Sequence, residues 1–123
     1  MGTLKKHTHY ADMQAFVTKD GSLIRELMHP SHHASQQQNL AEAIVQVGQK
    51  TVLHRHQQTE ELYHITAGEG RMTLGDEQFV VRTGDTICIA PGTAHCIENT
   101  GHDELRLLCC CAPAYAHTDT EIL

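Results

Sequence analysis

The sequence predicts an all-β domain, either a sandwich or a barrel. Turn signals recur at short intervals along its 123 residues, and short runs of strand-forming residues alternate with them. No segment combines the length and the periodicity that favour a helix. Because the chain is long enough to bury one core and too short for two, we expect a single domain over residues 1–123.

The N-terminal third has the least regular pattern. Residues 1–20 are expected to form an arm or an edge strand, with a candidate short strand over residues 11–18 that ends at an Asp-Gly turn. Residues 22–28 fit a helix or a strand by pattern alone, but the flanking turn residues limit them to strand length. The polar residues 30–39 are predicted to form a loop, by default a solvated connector and alternatively a loop that closes over a barrel mouth.

Residues 40–111 are predicted to form the barrel core, and residues 112–123 a polar C-terminal tail that begins where Pro113 stops the last strand. A glycine turn is expected over residues 67–70, and a hairpin about Gly75 and Asp76. The expected strands of the core are residues 40–47, 51–56, 61–66, 71–74, 78–82, 86–89, 95–97 and 104–111.

The charge of the chain bears on its partners and its location. Acidic residues outnumber basic ones, giving a formal net charge of −6, and no run of lysine or arginine is present. Duplex nucleic acid and anionic membrane surfaces are therefore poor candidate partners. No apolar stretch approaches the roughly 20 residues of a spanning helix, and residues 1–13 lack the hydrophobic segment of a secretion signal. We therefore expect a cytoplasmic protein.

The five cysteines are expected to be buried, reduced side chains. None forms a CxxC pair, and three of them are consecutive at residues 109–111 within a predicted strand. Small buried hydrophobic side chains therefore explain them better than disulfides or a thiolate metal site. The chain has no tryptophan, so the core is predicted to consist of isoleucine, leucine, valine and cysteine.

Three of the eleven histidines, together with one glutamate, form a candidate metal site. His54 and His56 lie two residues apart and point to the same side of a strand. Glu61 begins the next predicted strand, and His95 follows a Pro-Gly turn. Imidazole nitrogens and a carboxylate oxygen that converge are what a divalent first-row metal requires. The His-x-His pair alone is weak evidence, because surface strands also carry paired histidines.

Two stretches of the chain resemble the paired motifs of the cupin superfamily. They cover residues 48–68 and 84–99, and Ala90 stands where the second motif usually has its first proline, which loosens a turn and leaves the ligands untouched. The residues at motif spacing are Gly48, His54, His56, Glu61 and Gly68 in the first stretch and Gly84, Pro91, Gly92, His95 and Asn99 in the second.

The resemblance implies a double-stranded β-helix, the jelly-roll cupin barrel. It also implies one divalent transition metal, manganese, iron, nickel, cobalt or zinc, held by His54, His56, Glu61 and His95. Such a ligand set leaves about two octahedral positions open, where a bidentate oxygen ligand would fit. Cupin barrels commonly pair through their sheets, and the N-terminal strands have edges to cover, so we expect a homodimer.

Five further side chains are interpreted in relation to this set. Tyr63 shares the face of Glu61 and is the candidate acid/base or orienting catalytic group, although a hydrogen bond to backbone is the alternative. Glu60 could replace Glu61, but the six-residue spacing to the next motif glycine favours Glu61. His64 is predicted to face outward, and Arg106 could face either way. By resemblance, Asn99 ties a turn.

The predicted function is that of a metal-dependent enzyme, a dioxygenase, decarboxylase or isomerase/lyase. Its substrate would be a small anionic or polyhydroxylated metabolite that coordinates the metal through two oxygens. The alternative is a non-catalytic cupin that binds or senses a small ligand. A metal-free epimerase with a His-Asp pair is a third interpretation, and the complete ligand set counts against it.

Overall fold

The structure is a computed structural model that describes residues 3–123. The strands are β1 (Phe16–Val17), β2 (Leu23–Met28), β3 (Asn39–Val45), β4 (His54–His56), β5 (Glu60–Ala67), β6 (Glu69–Leu74), β7 (Glu77–Arg82), β8 (Thr86–Ile89), β9 (His95–Asn99), β10 (Leu105–Ala112) and β11 (Thr120–Ile122). Short 3-10 turns at Tyr10–Asp12 and His117–Asp119 complete the elements. In the described residues, no helix has the length and apolarity needed to span a membrane.

The strands form two antiparallel sheets. The six-stranded sheet has the order β1-β2-β3-β10-β5-β8, and the five-stranded sheet has the order β11-β4-β9-β6-β7. Side chains of β5 alternate between exposed and buried, and those of β10 between buried and half-buried, as strands with one face on a core require. Buried side chains of both sheets pack into one cluster that includes Ile65, Met72, Ile97, Leu105 and Leu107. The prediction of an all-β domain is confirmed.

Most predicted strands of the core are present, with small shifts at their ends. The hairpin about Gly75 and Asp76 joins β6 to β7, and the residues that fitted helix or strand form β2. The glycine turn predicted over residues 67–70 is shorter, because Gly68 alone separates β5 from β6. Gly68 has a φ of 87°, and a β-carbon there would lie 2.8 Å from the Glu104 carbonyl oxygen. Only glycine suits that position.

Three sequence predictions need correction at the ends of the chain and before the first histidine. Residues 11–18 contain only the two-residue strand β1, after a 3-10 turn. Of the predicted strand over residues 51–56, only His54–His56 pairs as a strand. The predicted tail over residues 112–123 contains β11, which pairs antiparallel with β4. Polarity misled the tail prediction: in β11 only Thr120 is buried, so the strand lacks an apolar face.

The topology separates the predicted metal ligands into two groups. Strands β4 and β9 are neighbours in the five-stranded sheet, whereas β5 lies in the six-stranded sheet between β10 and β8. Strands β4 and β5 therefore follow each other in the chain without pairing. A side chain of β5 can meet side chains of β4 and β9 only across the interior between the sheets.

Candidate metal centre

Strand pairing brings the three motif histidines together. His54 and His95 are direct partners in the ladder between β4 and β9, and their ring centroids are 4.2 Å apart. His56 shares the face of His54 and lies 5.3 Å from His95 by ring centroids. The Gly92 backbone N–H donates to the His56 carbonyl oxygen at 2.7 Å, which fastens the Pro-Gly turn to the strand of the first two histidines.

Glu61 approaches the three imidazoles from the opposite sheet. Its Oε1 lies 3.2 Å from Nε2 of His56 and 3.5 Å from Nε2 of His95. All three histidines and Glu61 are buried, whereas Glu60 is exposed. The structure therefore brings together the four residues predicted from the sequence and selects Glu61 over Glu60.

Hydrogen bonds on the far side of each ring orient the three Nε2 atoms inward. Nδ1 of His54 donates to the Val52 carbonyl oxygen at 2.7 Å, and Nδ1 of His95 donates to the Thr93 carbonyl oxygen at 2.9 Å. A carbonyl oxygen only accepts, so the proton of each neutral ring is on Nδ1 and the lone pair is on Nε2. Burial and, secondarily, the neighbouring His95 lower the pKa of His54, so that ring stays neutral at pH 7.

His56 is oriented by the C-terminal strand. Its Nδ1 lies 2.9 Å from Oγ1 of Thr120, and that hydroxyl donates its own proton to the Ala116 carbonyl oxygen at 2.9 Å. Because the hydroxyl proton is committed to Ala116, Oγ1 accepts from Nδ1–H of His56. The third Nε2 therefore also presents a lone pair to the interior.

The inward atoms fit a divalent cation. Glu61 Oε1 and His95 Nε2 are buried without a hydrogen-bond partner in the described residues, which costs about 1–3 kcal/mol for each group in the absence of a compensating ligand. Metal bonds of ~2.1 Å place adjacent ligands ~3.0 Å apart in an octahedron and ~3.4 Å apart in a tetrahedron. The distances of 3.2 and 3.5 Å from Oε1 match those edges.

The second oxygen of Glu61 is held by a cysteine. Sγ of Cys111 donates to Oε2 at 3.2 Å, which leaves Oε1 facing the imidazoles. Burial opposes ionisation of Glu61, but the two adjacent imidazoles of His56 and His95 outweigh it and lower the pKa of the carboxyl group to about 2. Burial and the adjacent Glu61 raise the pKa of the Cys111 thiol, so it remains a donor.

A cavity of about 640 Å³ is lined in part by three of the four residues, His54, His56 and Glu61, and its volume suits a small molecule. Tyr63 lines it, as the sequence predicted, with its ring centroid 6.0 Å from that of His95. Burial, reinforced by the charge of Glu61, raises the pKa of the Tyr63 hydroxyl well above its ordinary value. The hydroxyl is therefore a donor, and no backbone hydrogen bond occupies it in the described residues.

The loop predicted over residues 30–39 forms part of the cavity wall. Ser31, His32 and His33 of this loop line the cavity, as the alternative of a loop beside the barrel mouth expects, while Ser31, His32 and residues 36–38 are exposed to solvent. His29, at the start of this segment, donates from Nε2 to the Tyr115 carbonyl oxygen at 2.8 Å. That bond joins the loop to the segment that leads to β11.

The other interpreted residues lie outside the centre. His64 is exposed and contacts Oγ1 of Thr86, as the outward prediction requires. Arg106 faces outward and pairs with Glu104 at 2.7 Å. Asn99 is buried and donates to the carbonyl oxygens of Val45 and Asp103, which confirms its role in tying a turn.

Sequence reasoning missed three residues of the centre. Thr120 had no detectable signal, because it belongs to a segment predicted as a tail. Cys111 is the direct partner of Glu61 in the pairing of β10 with β5, and no spacing along the chain marks that pairing. Asp20, predicted only as part of a turn, places Oδ2 3.7 Å from Nε2 of His54.

Comparison with known proteins identifies the family. The model of the cupin domain family matches residues 41–111, more than half of the chain. The chain is a cupin. Its relatives include the uncharacterized protein MJ1618 of Methanocaldococcus jannaschii, 54% identical over 116 residues that cover 94% of this chain and 93% of that protein.

Solved structures confirm the double-stranded β-helix of this cupin. Pac13 of Streptomyces, described as a nucleoside dehydratase, superimposes with a TM-score of 0.79 at 16% identity, over 97% of this chain and 91% of Pac13. The polyketide cyclase RemF of Streptomyces resistomycificus superimposes with a TM-score of 0.75 at 20% identity, over 94% of this chain and 89% of RemF. At these identities the likeness establishes the shared fold.

The ring hydrogen bonds predict the tautomers of the three histidines. In metal-free protein at pH 8, nitrogen-15 NMR should show His54, His56 and His95 protonated on Nδ1, because all three Nδ1 atoms face acceptors. Thr120→Val removes the acceptor of His56 alone, so only the His56 signals should shift towards the other tautomer. Protonation of His56 on Nε2 in the unsubstituted protein would contradict the proposed orientation.

Proposed function

We propose that this cupin binds one divalent transition metal through Nε2 of His54, His56 and His95 and Oε1 of Glu61. The observations that support the proposal are two. Ligand atoms of the three buried histidines lie within 4.8 Å of one another, and Glu61 Oε1, which lies near His56 and His95, is buried and unpartnered, as is His95 Nε2. Three neutral imidazoles and one carboxylate suit manganese, iron, nickel, cobalt or zinc. Glu61 would neutralise one of the two positive charges.

We further propose that the protein is an enzyme of the isomerase or lyase type that acts on a small oxygen-bearing molecule in the adjacent cavity. A bound metal would supply Lewis-acid stabilisation of negative charge on a substrate oxygen. The polypeptide's part is to position the substrate: Tyr63 lines the cavity beside His95, where its hydroxyl could donate a hydrogen bond to a substrate oxygen. Leu107 and Cys109 form an apolar part of the cavity wall, which would keep water away from that hydrogen bond.

The choice of reaction type is supported by two proteins of the same fold, which are described as a nucleoside dehydratase and a polyketide cyclase. Elimination and ring closure are reactions that a Lewis acid and a positioned proton donor can promote without an external oxidant. The dioxygenase and decarboxylase alternatives require a redox-active metal or an oxidisable acid substrate in the same cavity.

Replacement of a single ligand should sharply weaken metal binding. The unsubstituted protein, stripped with a chelator and dialysed against Co²⁺, should retain close to one equivalent by elemental analysis. His95→Ala removes a buried ligand and should lower the affinity by at least ~100-fold. His64→Ala is the matched control, because this histidine is exposed on β5 and faces away from the centre. Full retention by His95→Ala would remove this residue from the ligand set.

The homodimer expected from the sequence is also a proposal, supported by the edge of the six-stranded sheet. Strand β1 forms that edge, and its Phe16 and Val17 are 46% and 70% exposed. An uncovered strand with apolar side chains is suited to pairing with a second copy.

Light scattering at micromolar concentration tests the dimer. We expect about twice the chain mass of 13.7 kDa, and Val17→Lys should shift the species to the monomer by charging the β1 edge. Val80→Lys places the same charge on the exposed face of β7 in the other sheet and should leave the dimer intact. A measured mass of 13.7 kDa for the unsubstituted protein would refute the proposal.

A further inference from the structure

The cavity beside the proposed metal is acidic. Three carboxylate side chains line it, those of Asp20, Glu26 and Glu61, and no lysine or arginine of the described residues does. The other ionisable side chains of the wall include the histidines His29, His32, His33 and His117, which add no positive charge while they are neutral. A divalent ion and Glu61 together carry a net charge of about +1. When Asp20 and Glu26 are both ionised, Asp20 cancels this charge and Glu26 makes the net charge of the cavity negative. A carboxylate or phosphate group would therefore enter a pocket without positive charge to spare.

Asp20 is held so that one oxygen faces the metal ligands. Its Oδ1 accepts hydrogen bonds from Oγ1 of Thr18 at 2.8 Å and from Oγ and N of Ser22 at 2.6 and 2.9 Å. Its Oδ2 lies 3.7 Å from Nε2 of His54. Because the His54 ring carries its proton on Nδ1, two acceptors face each other across this distance. A cation bound to Nε2 of His54 would satisfy the ring, and a hydrogen-bond donor that faces Oδ2 would satisfy Asp20.

Asp20 flanks the ligand set without belonging to it. Among the described residues, His54 is the only one of the three ligand imidazoles within ion-pair distance of Asp20. In an octahedron a fifth ligand is adjacent to all but one of the others, so a ligating Asp20 would approach at least two of the imidazoles closely. Oδ2 is placed instead to accept a hydrogen bond from a hydroxyl group bound beside His54.

Glu26 contributes a second acceptor elsewhere in the cavity wall. Nδ2 of Asn39 donates to its Oε1 at 2.9 Å, while Oδ1 of Asn39 accepts from the Tyr115 backbone N–H at 2.8 Å. The amide is thereby fixed with its NH2 group towards Glu26. Burial raises the pKa of Glu26, because it disfavours the charged form of the carboxyl group.

We propose that the cavity binds a neutral molecule rich in hydroxyl groups, rather than a carboxylate or a phosphate. Hydroxyl oxygens can approach the metal while their protons are donated to Asp20 and Glu26. An anionic ligand brings acceptors to Asp20 and Glu26 and adds negative charge that these two carboxylates oppose. The inference rests on the proposed function and narrows its ligand class, since both anionic and polyhydroxylated ligands suit the metal alone.

The test uses Co²⁺-loaded protein, whose visible absorption reports loading, and matched ligand pairs followed by calorimetry. The pairs are galactose with galacturonate and uridine with uridine 5′-monophosphate. Within each pair that binds, the neutral member should bind at least ~10-fold more tightly. Oxalate serves as the anionic probe of the metal: Asp20→Asn should raise its affinity about 10-fold by removing one negative charge. Glu26→Gln should change oxalate affinity in the same direction, and provides a second variant should Asp20→Asn not fold.

Asp76→Asn is the control, because it removes the same charge from an exposed hairpin turn outside the cavity. Tighter binding of the anionic member of either pair would overturn the inference. The inference would also be overturned if Asp20→Asn and Glu26→Gln bound oxalate with affinities within twofold of the control. If neither ligand pair binds, this oxalate comparison alone tests the inference. Failure of the unsubstituted protein to bind Co²⁺ is a different result, which overturns the proposed function and the inference with it.

Discussion

Three imidazoles on one sheet face a carboxylate on the other across the interior of the barrel. Their inward atoms have lone pairs or negative charge, and Glu61 Oε1 and His95 Nε2 have no hydrogen-bond partner in the described part of the chain. Buried polar atoms without partners are rare and destabilising. A divalent cation would resolve all four at once, and the surrounding structure keeps the atoms in the positions that such a cation needs.

The positions depend on contacts made on the outer side of the four ligands. The Val52 and Thr93 carbonyl oxygens orient two rings, Thr120 orients the third, and Cys111 holds the carboxylate. These partners come from different parts of the chain, among them the last strand. Outer contacts of this kind fix ring orientation and ligand basicity before a metal arrives. The open side of the set then faces the cavity, where Tyr63 and Asp20 can meet a ligand.

The ligands themselves were predictable because each is marked by spacing along the chain. The period of two places His54 and His56 on one face, and motif spacing adds Glu61 and His95. Strand partners are not marked in this way: a ladder joins residues far apart in sequence, so the placement of Glu61 in the opposite sheet could not be inferred. Thr120 could not be inferred either, because its strand β11 lacks an apolar face and its pairing with β4 is not marked in the sequence.

The fold was predictable for a related reason, since alternating burial leaves a visible pattern in strands such as β5 and β10. The N-terminal segment shows the limit of that reasoning. Asp20 was interpreted as one half of a turn, and the turn explains the residue locally, yet its side chain also faces His54. A turn signal describes the backbone and gives no information about what the folded chain places opposite the side chain.

Anomalous diffraction at the cobalt edge, from crystals grown with Co²⁺, tests the central claim most directly. The account predicts a single strong peak between the two sheets, at about 2.1 Å from Nε2 of His54, His56 and His95 and from Oε1 of Glu61. A map without a peak between these four atoms, in crystals where the side chains are well ordered, would contradict it.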